Sequence, residues 1–396
     1  MKKKIFIIIL IVLVVVGLTV FLYKRGLFET NENGSLNVMD DKMQNAKSNE
    51  EEETSSDLFG KYYKKSEEKL KTMSIEEKVG QMFLARCPSD ETATNQIATL
   101  NPGGYVMFGR DFNEKTKSQV VETIKSYQKS SKIPMLIAVD EEGGTVVRVS
   151  SNRNLSSYTF KSPQEVYKDG GYQAIKADAK AKAKLLLNLG INLNLAPVSD
   201  VSTNANDYMY YRSFGKDANS TAEFVKDVVE VSNSYKLGST LKHFPGYGSN
   251  TDTHTDISID KKTKQQYENV DLVPFKQGIA SGVPSILVSH NIVECYDAKL
   301  PSSLSKPVHD LLRNDLGFTG IIITDDLGMK GITNYTAGTN AAILAVNAGN
   351  DMLISSELEI DRNAVLEAVK NGTIKEETIN LAVKRIVAWK YNMGIM

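Results

Sequence analysis

The sequence contains little cysteine, little histidine and almost no net charge. Its 396 residues include two cysteines, and 47 Lys and Arg nearly balance 48 Asp and Glu. Cys87 and Cys295 form no C-x-x-C pair, which excludes a disulfide scaffold and leaves a structural zinc site unsupported. A formal charge of −1 gives no electrostatic case for a nucleic-acid partner. Chemistry that needs imidazole must use one of four residues, His243, His254, His290 and His309.

One long apolar run is present near the N-terminus. Residues 5–23 form an uncharged block of 19 that follows three lysines. A helix of this length spans about 30 Å at about 1.5 Å per residue, enough to cross a bilayer. It is followed by neither an A-x-A-like cleavage site nor a cysteine for lipid attachment. We therefore expect a cytoplasmic N-terminus over 1–4, an uncleaved transmembrane signal-anchor over 5–23 and an extracellular body. Cleavage and secretion are the alternative.

The segment after this run is acidic and has no aromatic residue. Residues 29–57 carry nine acids and two bases by direct count. Such a segment cannot bury enough apolar surface to offset its loss of entropy on ordering, which favours a flexible tether. We expect a linker over 24–64 and one catalytic domain over 65–396, with no further domain after it.

The body alternates short apolar runs with longer amphipathic runs. Strands that are apolar on both faces and separated by helices indicate a parallel sheet. Eight such units predict an α/β fold, the (β/α)8 TIM-type barrel. A doubly wound sheet would typically carry a glycine-rich phosphate loop after the first strand, and that loop is absent. The predicted strands are 81–87, 104–109, 135–140, 191–198, 238–244, 285–290, 320–325 and 351–356.

Polar side chains stand at the predicted carboxyl ends of the strands, where the active site of such a barrel lies. They are Asp140, Asp200, Lys242, His243, His290, Thr324 and Asp325. Asp325 and the following Asp326 could contact a bound substrate. The alternative role is an N-cap of the next helix. The DEEGG stretch at 140–144 has two interpretations. It could bind hydroxyl groups of a polar ligand, or it could be a solvated turn.

The loop after the fifth strand combines glycine, proline, histidine and aspartate. It reads KHFPGYG over 242–248 and continues to Asp252 and His254. Asp252 could hydrogen-bond one imidazole nitrogen of His254 and raise the basicity of the other. Local backbone capping is an equally weighted alternative. A metal site that includes His243 is a third, although no H-x-H or H-E-x-x-H pattern supports it.

These stretches together resemble glycoside hydrolase family 3, specifically its β-N-acetylglucosaminidase (NagZ-type) branch. Residues 311–325 match the family's nucleophile signature, which ends in Ser/Thr-Asp. The loop at 242–254 matches K-H-F-P-G-H-G followed by D-S-H, with Tyr247 where the branch often has His. Three further motifs match in the expected order: DEEGG at 140–144, APVSD at 196–200 and RSFG at 212–215.

The resemblance implies a retaining exo-β-N-acetylglucosaminidase that hydrolyses terminal β-linked GlcNAc from peptidoglycan fragments. Asp325 would form a covalent glycosyl intermediate, His254 would be the acid and base, and Asp252 would orient His254. The implied sugar-binding residues are Asp140, Arg212, Lys242 and His243, and His290 is expected to line the same pocket. The resemblance implies no metal or organic cofactor, and we expect a monomer.

The sequence is also compatible with three other functions. One is a β-glucosidase or β-xylosidase of the same family, against which the Asp-x-His loop argues. Another is a GlcNAc phosphorylase, because an uncharged imidazole tolerates an incoming phosphate better than a carboxylate does. A non-catalytic cell-wall binding barrel is the candidate from a different class of protein, and the intact set Asp252, His254 and Asp325 argues against it.

Overall fold

The computed structural model describes residues 57–247, 257–329, 332, 336 and 340–396. The predicted anchor at 5–23, most of the predicted linker, and both Asp252 and His254 lie outside these residues. Within the described part of the chain, no helix is both long and apolar enough to cross a membrane.

Eight parallel strands form the central sheet, and each lies within one of the predicted apolar runs. The strands are β1 Phe83–Arg86, β2 Gly104–Val106, β3 Leu136–Val139, β4 Leu193–Asn194, β5 Gly238–Phe244, β7 Ser285–Val288, β9 Ile321–Thr324 and β10 Leu353–Ser355, with a separate pair β6 Ile259–Asp260 and β8 Ile292–Val293. The order of the eight is β10-β1-β2-β3-β4-β5-β7-β9. A bridge between Ile323 of β9 and Met352, just before β10, closes the ring, which confirms the TIM-type barrel.

Helices connect the strands and cover the outside of the ring. The helix that precedes β1 begins at a capping box between Ser74 and Glu77. The α-helices are α1 Tyr63–Leu70, α2 Ile75–Gln81, α3 Asp90–Leu100, α4 Gly109–Phe112, α5 Lys117–Ser130, α6 Pro163–Leu189, α7 Ala218–Ser234, α8 Lys264–Gln266, α9 Leu272–Ala280, α10 Lys306–Asp310, α11 Ala341–Ala348, α12 Leu358–Lys370 and α13 Glu376–Met393. Short 3₁₀ turns lie at Gly60–Tyr62 and Ser302–Leu304, and π-turns at Tyr267–Asp271 and Leu311–Asp315.

Strand β4 is short, and two asparagine side chains extend its pairing with the preceding strand. The Asn192 amide accepts a hydrogen bond from Ile137 N at 2.8 Å and donates one to Met135 O at 3.0 Å. The Asn194 amide pairs in the same way with both backbone groups of Glu141, at 2.9 and 3.2 Å. The Asn194 amide thereby holds the start of the loop that follows β3.

Residues 57–64 are folded onto the barrel, so the prediction that the flexible linker reaches residue 64 is wrong for them. Phe59 is fully buried, and its ring stacks on Trp389 of α13 with centroids 6.5 Å apart. Leu58 N donates to the Thr319 hydroxyl at 3.0 Å. One groove at the amino ends of the strands is lined by Leu58, Phe59, Trp389 and Met393.

Candidate active site

A cavity of about 410 Å³ opens at the carboxyl ends of the strands. Its wall brings together five of the predicted site residues. They are Asp140 after β3, Arg212 in the connection between β4 and α7, Lys242 and His243 on β5, and Asp325 after β9. Four of them, Asp140, Lys242, His243 and Asp325, are among the polar strand ends expected to converge at one mouth of the barrel, and the structure brings these four together.

A buried carboxylate that the sequence reasoning did not assign, Glu142, bridges two of the cavity's cations. It pairs with Lys242 Nζ at 2.6 Å and with two nitrogens of Arg212 at 2.7 and 3.0 Å. Lys242 Nζ also reaches Asp140 Oδ1 at 2.7 Å. The two cations are thus held in place by carboxylates on the loop after β3.

The charges in this cluster stabilise one another. Burial would raise the pKa of Glu142, but Lys242 and Arg212 outweigh that effect and hold the pKa at about 2. Burial would lower the pKa of each cation, but the adjacent carboxylates raise both pKa values above their ordinary range. Arg212, Lys242 and Glu142 therefore all remain charged at neutral pH and can offer charged hydrogen bonds to a polar ligand.

A second buried carboxylate, Asp200, orients His243. His243 Nδ1 lies 2.7 Å from Asp200 Oδ2, and Tyr247 N donates to Asp200 Oδ1 at 2.7 Å. A proton on Nδ1 donated to Asp200 leaves Nε2 of the neutral ring as an acceptor. The sequence placed Asp200 at a strand end but assigned it no role in the site.

The two adjacent acids after β9 have different surroundings. The Asp326 side chain accepts hydrogen bonds from Gly328 N at 2.9 Å and from the Ser356 hydroxyl at 2.6 Å, so it stabilises the local turn. Asp325 Oδ1 accepts from Asp326 N at 2.8 Å, while its backbone N donates to Val288 O at 3.0 Å. The hydrogen bond to Val288 of β7 thus fixes the Asp325 backbone at the edge of the cavity.

His290 does not line the cavity, and that expectation is wrong. The side chain is fully buried and is absent from the cavity wall. Its Nδ1 lies 2.7 Å from the Ser303 hydroxyl, and its Nε2 lies 3.0 Å from Asp326 O. His290 therefore supports the turn that follows Asp325 through its contact with Asp326 O. His309 is also buried, and its Nδ1 donates to Ser305 O at 2.8 Å, so its role is structural.

The predicted roles of Asp252 and His254 stay predictions, because both residues lie outside the described ranges. Within those ranges, no group of three or more His, Cys, Asp and Glu side chains could hold a metal ion. The metal alternative that includes His243 also needs Asp252 and His254, and it stays untested.

Comparison with known proteins identifies the family. The model for the "Glycosyl hydrolase family 3 N terminal domain" matches residues 74–389. The chain is 29% identical over 289 residues to a beta-hexosaminidase of Nitrosomonas eutropha, covering 70% of this chain and 80% of that one. It is 30% identical over 291 residues to a beta-hexosaminidase of Tolumonas auensis, covering 72% and 84%.

Solved structures agree with this relationship. A family 3 beta-N-acetylglucosaminidase from Paenibacillus superposes with a TM-score of 0.75 at 29% identity over 82% of this chain. The match spans 63% of that longer protein. A beta-N-acetylhexosaminidase from Beutenbergia cavernae superposes with a TM-score of 0.71 at 25% identity, covering 81% of this chain and 99% of that one. The barrel, the cavity and these matches together show that the chain belongs to glycoside hydrolase family 3.

Proposed function

We propose that the protein is a retaining exo-β-N-acetylglucosaminidase that removes terminal β-linked GlcNAc from peptidoglycan fragments. The observation that carries this proposal is the placement of Asp325 in one cavity with the cluster of Asp140, Lys242 and Arg212. The beta-hexosaminidase names of relatives that match most of the chain support an N-acetylamino sugar as the substrate.

The cavity suits one terminal sugar. Its volume of about 410 Å³ lies near the small end of the range for ligand pockets. Asp140 and the cations Arg212 and Lys242 are fixed by ion pairs before a ligand arrives, so they can bind hydroxyl and acetamido groups with little loss of side-chain entropy. A pocket with fixed polar groups favours release of a chain-end residue over cleavage within a chain.

The proposed chemistry uses Asp325 as the nucleophile. Its carboxylate attacks the anomeric carbon and forms a glycosyl ester while His254 donates a proton to the departing oxygen. His254 then takes a proton from the water that hydrolyses the ester, and Asp252 orients the imidazole. An imidazole with a pKa of about 6.5 can serve both steps near neutral pH.

The neighbouring acids provide a matched test of the nucleophile. In Asp325→Asn, release of nitrophenol from 4-nitrophenyl β-GlcNAc should fall by at least about 1,000-fold, because no covalent ester can form. Asp326→Asn should keep turnover of the same order as the unmodified enzyme, because its side chain bonds to the local turn. Equal turnover in the unmodified enzyme and Asp325→Asn would exclude the assignment.

The same assay separates the other functions. Faster cleavage of the β-glucoside or β-xyloside than of the GlcNAc glycoside would indicate another branch of the family. Formation of GlcNAc-1-phosphate on addition of phosphate would indicate a phosphorylase. The absence of any turnover by the full chain would favour a binding barrel.

We also propose that residues 5–23 anchor the chain in the cell membrane, with a monomeric catalytic domain outside the cell. The support for this proposal is the uncharged apolar run after three lysines. The full chain should remain with washed membranes, while external protease should degrade its catalytic part in intact cells. Recovery of activity only from the medium would indicate cleavage instead.

A further inference from the structure

The connection between β4 and α7 places a tyrosine in the wall of the cavity. Tyr208 lines the cavity and is 40% exposed. Arg212, which lines the same cavity, lies on the same turn of the backbone, because its N donates to Met209 O at 3.0 Å. The connection thus gives the cavity an aromatic ring as well as a cation that Glu142 holds in place.

Hydrogen bonds hold the backbone on both sides of Tyr208. Before it, Asp207 Oδ2 accepts from the Ser202 hydroxyl at 2.8 Å. After it, Tyr210 O accepts from the side-chain amide of Gln164 on α6 at 2.6 Å. The position of the Tyr208 backbone is therefore set by the fold before any ligand arrives.

The ring of Tyr208 packs against the ring of Tyr247, which follows β5. Their centroids are 5.8 Å apart, with 36° between the ring planes. Tyr247 is itself buried, its N donates to Asp200 at 2.7 Å, and its ring lies edge-on to that of His243. This contact restricts rotation of the Tyr208 ring, so a ligand that packs against it costs little side-chain entropy.

Tyr208 is far more exposed than the polar residues proposed to bind the terminal sugar. Lys242 is 3% exposed and His243 is 6% exposed, against 40% for Tyr208. In an enzyme that acts on chain ends, the terminal sugar occupies the closed part of the pocket and the rest of the substrate extends towards the opening. The exposed ring therefore lies where the group attached to the terminal sugar passes.

We propose that Tyr208 determines specificity for the leaving group by packing its ring against the second sugar of the substrate. A pyranose ring carries C–H groups on its faces, and these bury apolar surface when they pack against an aromatic ring. The proposal rests on the hydrolase activity proposed above and adds a preference for a sugar over a small alkyl group as the leaving group.

Two substrates with the same terminal sugar test this proposal in the full-length enzyme. They are the disaccharide GlcNAc-β-1,4-GlcNAc and the methyl β-glycoside of GlcNAc, which has no second ring. The ratio of kcat/KM for the disaccharide over the methyl glycoside should fall at least about fivefold in Tyr208→Ala, because the apolar contact with the second sugar is lost. Tyr208→Phe keeps the ring and should retain most of the ratio.

Tyr211→Ala is the matched control, and it should keep the ratio of the unmodified enzyme. Tyr211 is an exposed tyrosine of the same connection, its ring packs edge-on against Tyr210, and it is not among the described residues that line the cavity.

The outcomes separate this inference from the proposed function. An unchanged ratio in Tyr208→Ala would overturn the contact with the second sugar, whether both kcat/KM values fall together or neither falls. A loss of the ratio in Tyr208→Phe equal to that in Tyr208→Ala would assign the effect to the hydroxyl and overturn packing by the ring. Failure of the unmodified enzyme to cleave any GlcNAc glycoside would instead reject the proposed function.

Discussion

Glu142 is a single buried carboxylate that pairs with both Lys242 and Arg212. Removal of one member of a buried ion pair leaves an uncompensated charge and costs about 3–5 kcal/mol. We predict that Glu142→Gln lowers the free energy of unfolding by an amount in this range, measured by urea denaturation. It should also raise KM for 4-nitrophenyl β-GlcNAc, because the two cations lose their fixed positions.

A double-mutant cycle separates the contact from a general loss of packing. Arg212→Gln alone should also be strongly destabilising, because it leaves Glu142 with one cation instead of two. The double variant should cost less than the sum of the single variants by about 0.5–3 kcal/mol. Strict additivity would show that the pair of Glu142 and Arg212 does not stabilise the fold.

Local patterns predict some of these residues and miss others. An apolar strand followed by an acid was enough to place Asp325 at the barrel mouth. The role of Glu142 depends on Arg212, 70 positions away, and that of Asp200 depends on His243, 43 positions away. Such partners meet only when the barrel closes, so neighbouring sequence carries no signal for them.

At the scale of elements, the segment before α1 is tied to the last helix. Phe59 stacks on Trp389 and is fully buried. We predict that Phe59→Ala lowers the free energy of unfolding by about 3–5 kcal/mol, because a large buried ring leaves a cavity. Chemical denaturation of the purified chain measures this loss.

Leu381 provides the control, because it lies on α13 and is half exposed. Leu381→Ala should change stability by less than about 0.5 kcal/mol. A similar small effect of Phe59→Ala would mean that residues 57–62 contribute little and that the catalytic domain begins later.

The sequence predicts strands better than it predicts element ends. All eight barrel strands appear within the predicted, mainly apolar runs, because a strand buried on both faces favours such a run. Helix α6 begins at Pro163, and Gly170 and Gly171 within it have non-helical dihedral angles, so a local helical pattern does not show that the helix extends across this kink. The acidic composition up to residue 57 likewise gave no indication that the next residues, Leu58 and Phe59, are part of the folded domain. They pack near α13, at the other end of the sequence.

At the scale of the whole molecule, the last helix is linked to the start of the barrel through Lys390 of α13. This side chain is fully buried beside the residues that precede β1 and β2. Its Nζ donates to Gln81 Oε1 at 2.7 Å and to Gly103 O at 3.0 Å. Burial lowers its pKa to about 7. Because the unfolded pKa is about 10.4, the unfolded chain binds more protons between these values. Stability should therefore rise with pH by up to about 1.4 kcal/mol per pH unit.

Urea denaturation at pH 7.5 and 9.0 tests this dependence. The unmodified protein should gain about 2 kcal/mol relative to Lys390→Met across this interval, because the variant lacks the titrating amine. Lys384→Met removes an amine that pairs with Glu67 on the protein surface, and it should retain the pH dependence of the unmodified protein. Parallel curves for the unmodified protein and Lys390→Met would contradict the prediction.

The groove shared by Leu58, Phe59, Trp389 and Met393 has a practical consequence for handling the enzyme. It lies where the strands begin, whereas the cavity opens where they end. A resin, fluorophore or fusion partner attached after Met396 would therefore stand on the far side of the barrel from the entering sugar. Immobilisation through the carboxyl terminus should leave the mouth open to the fragments proposed as substrates.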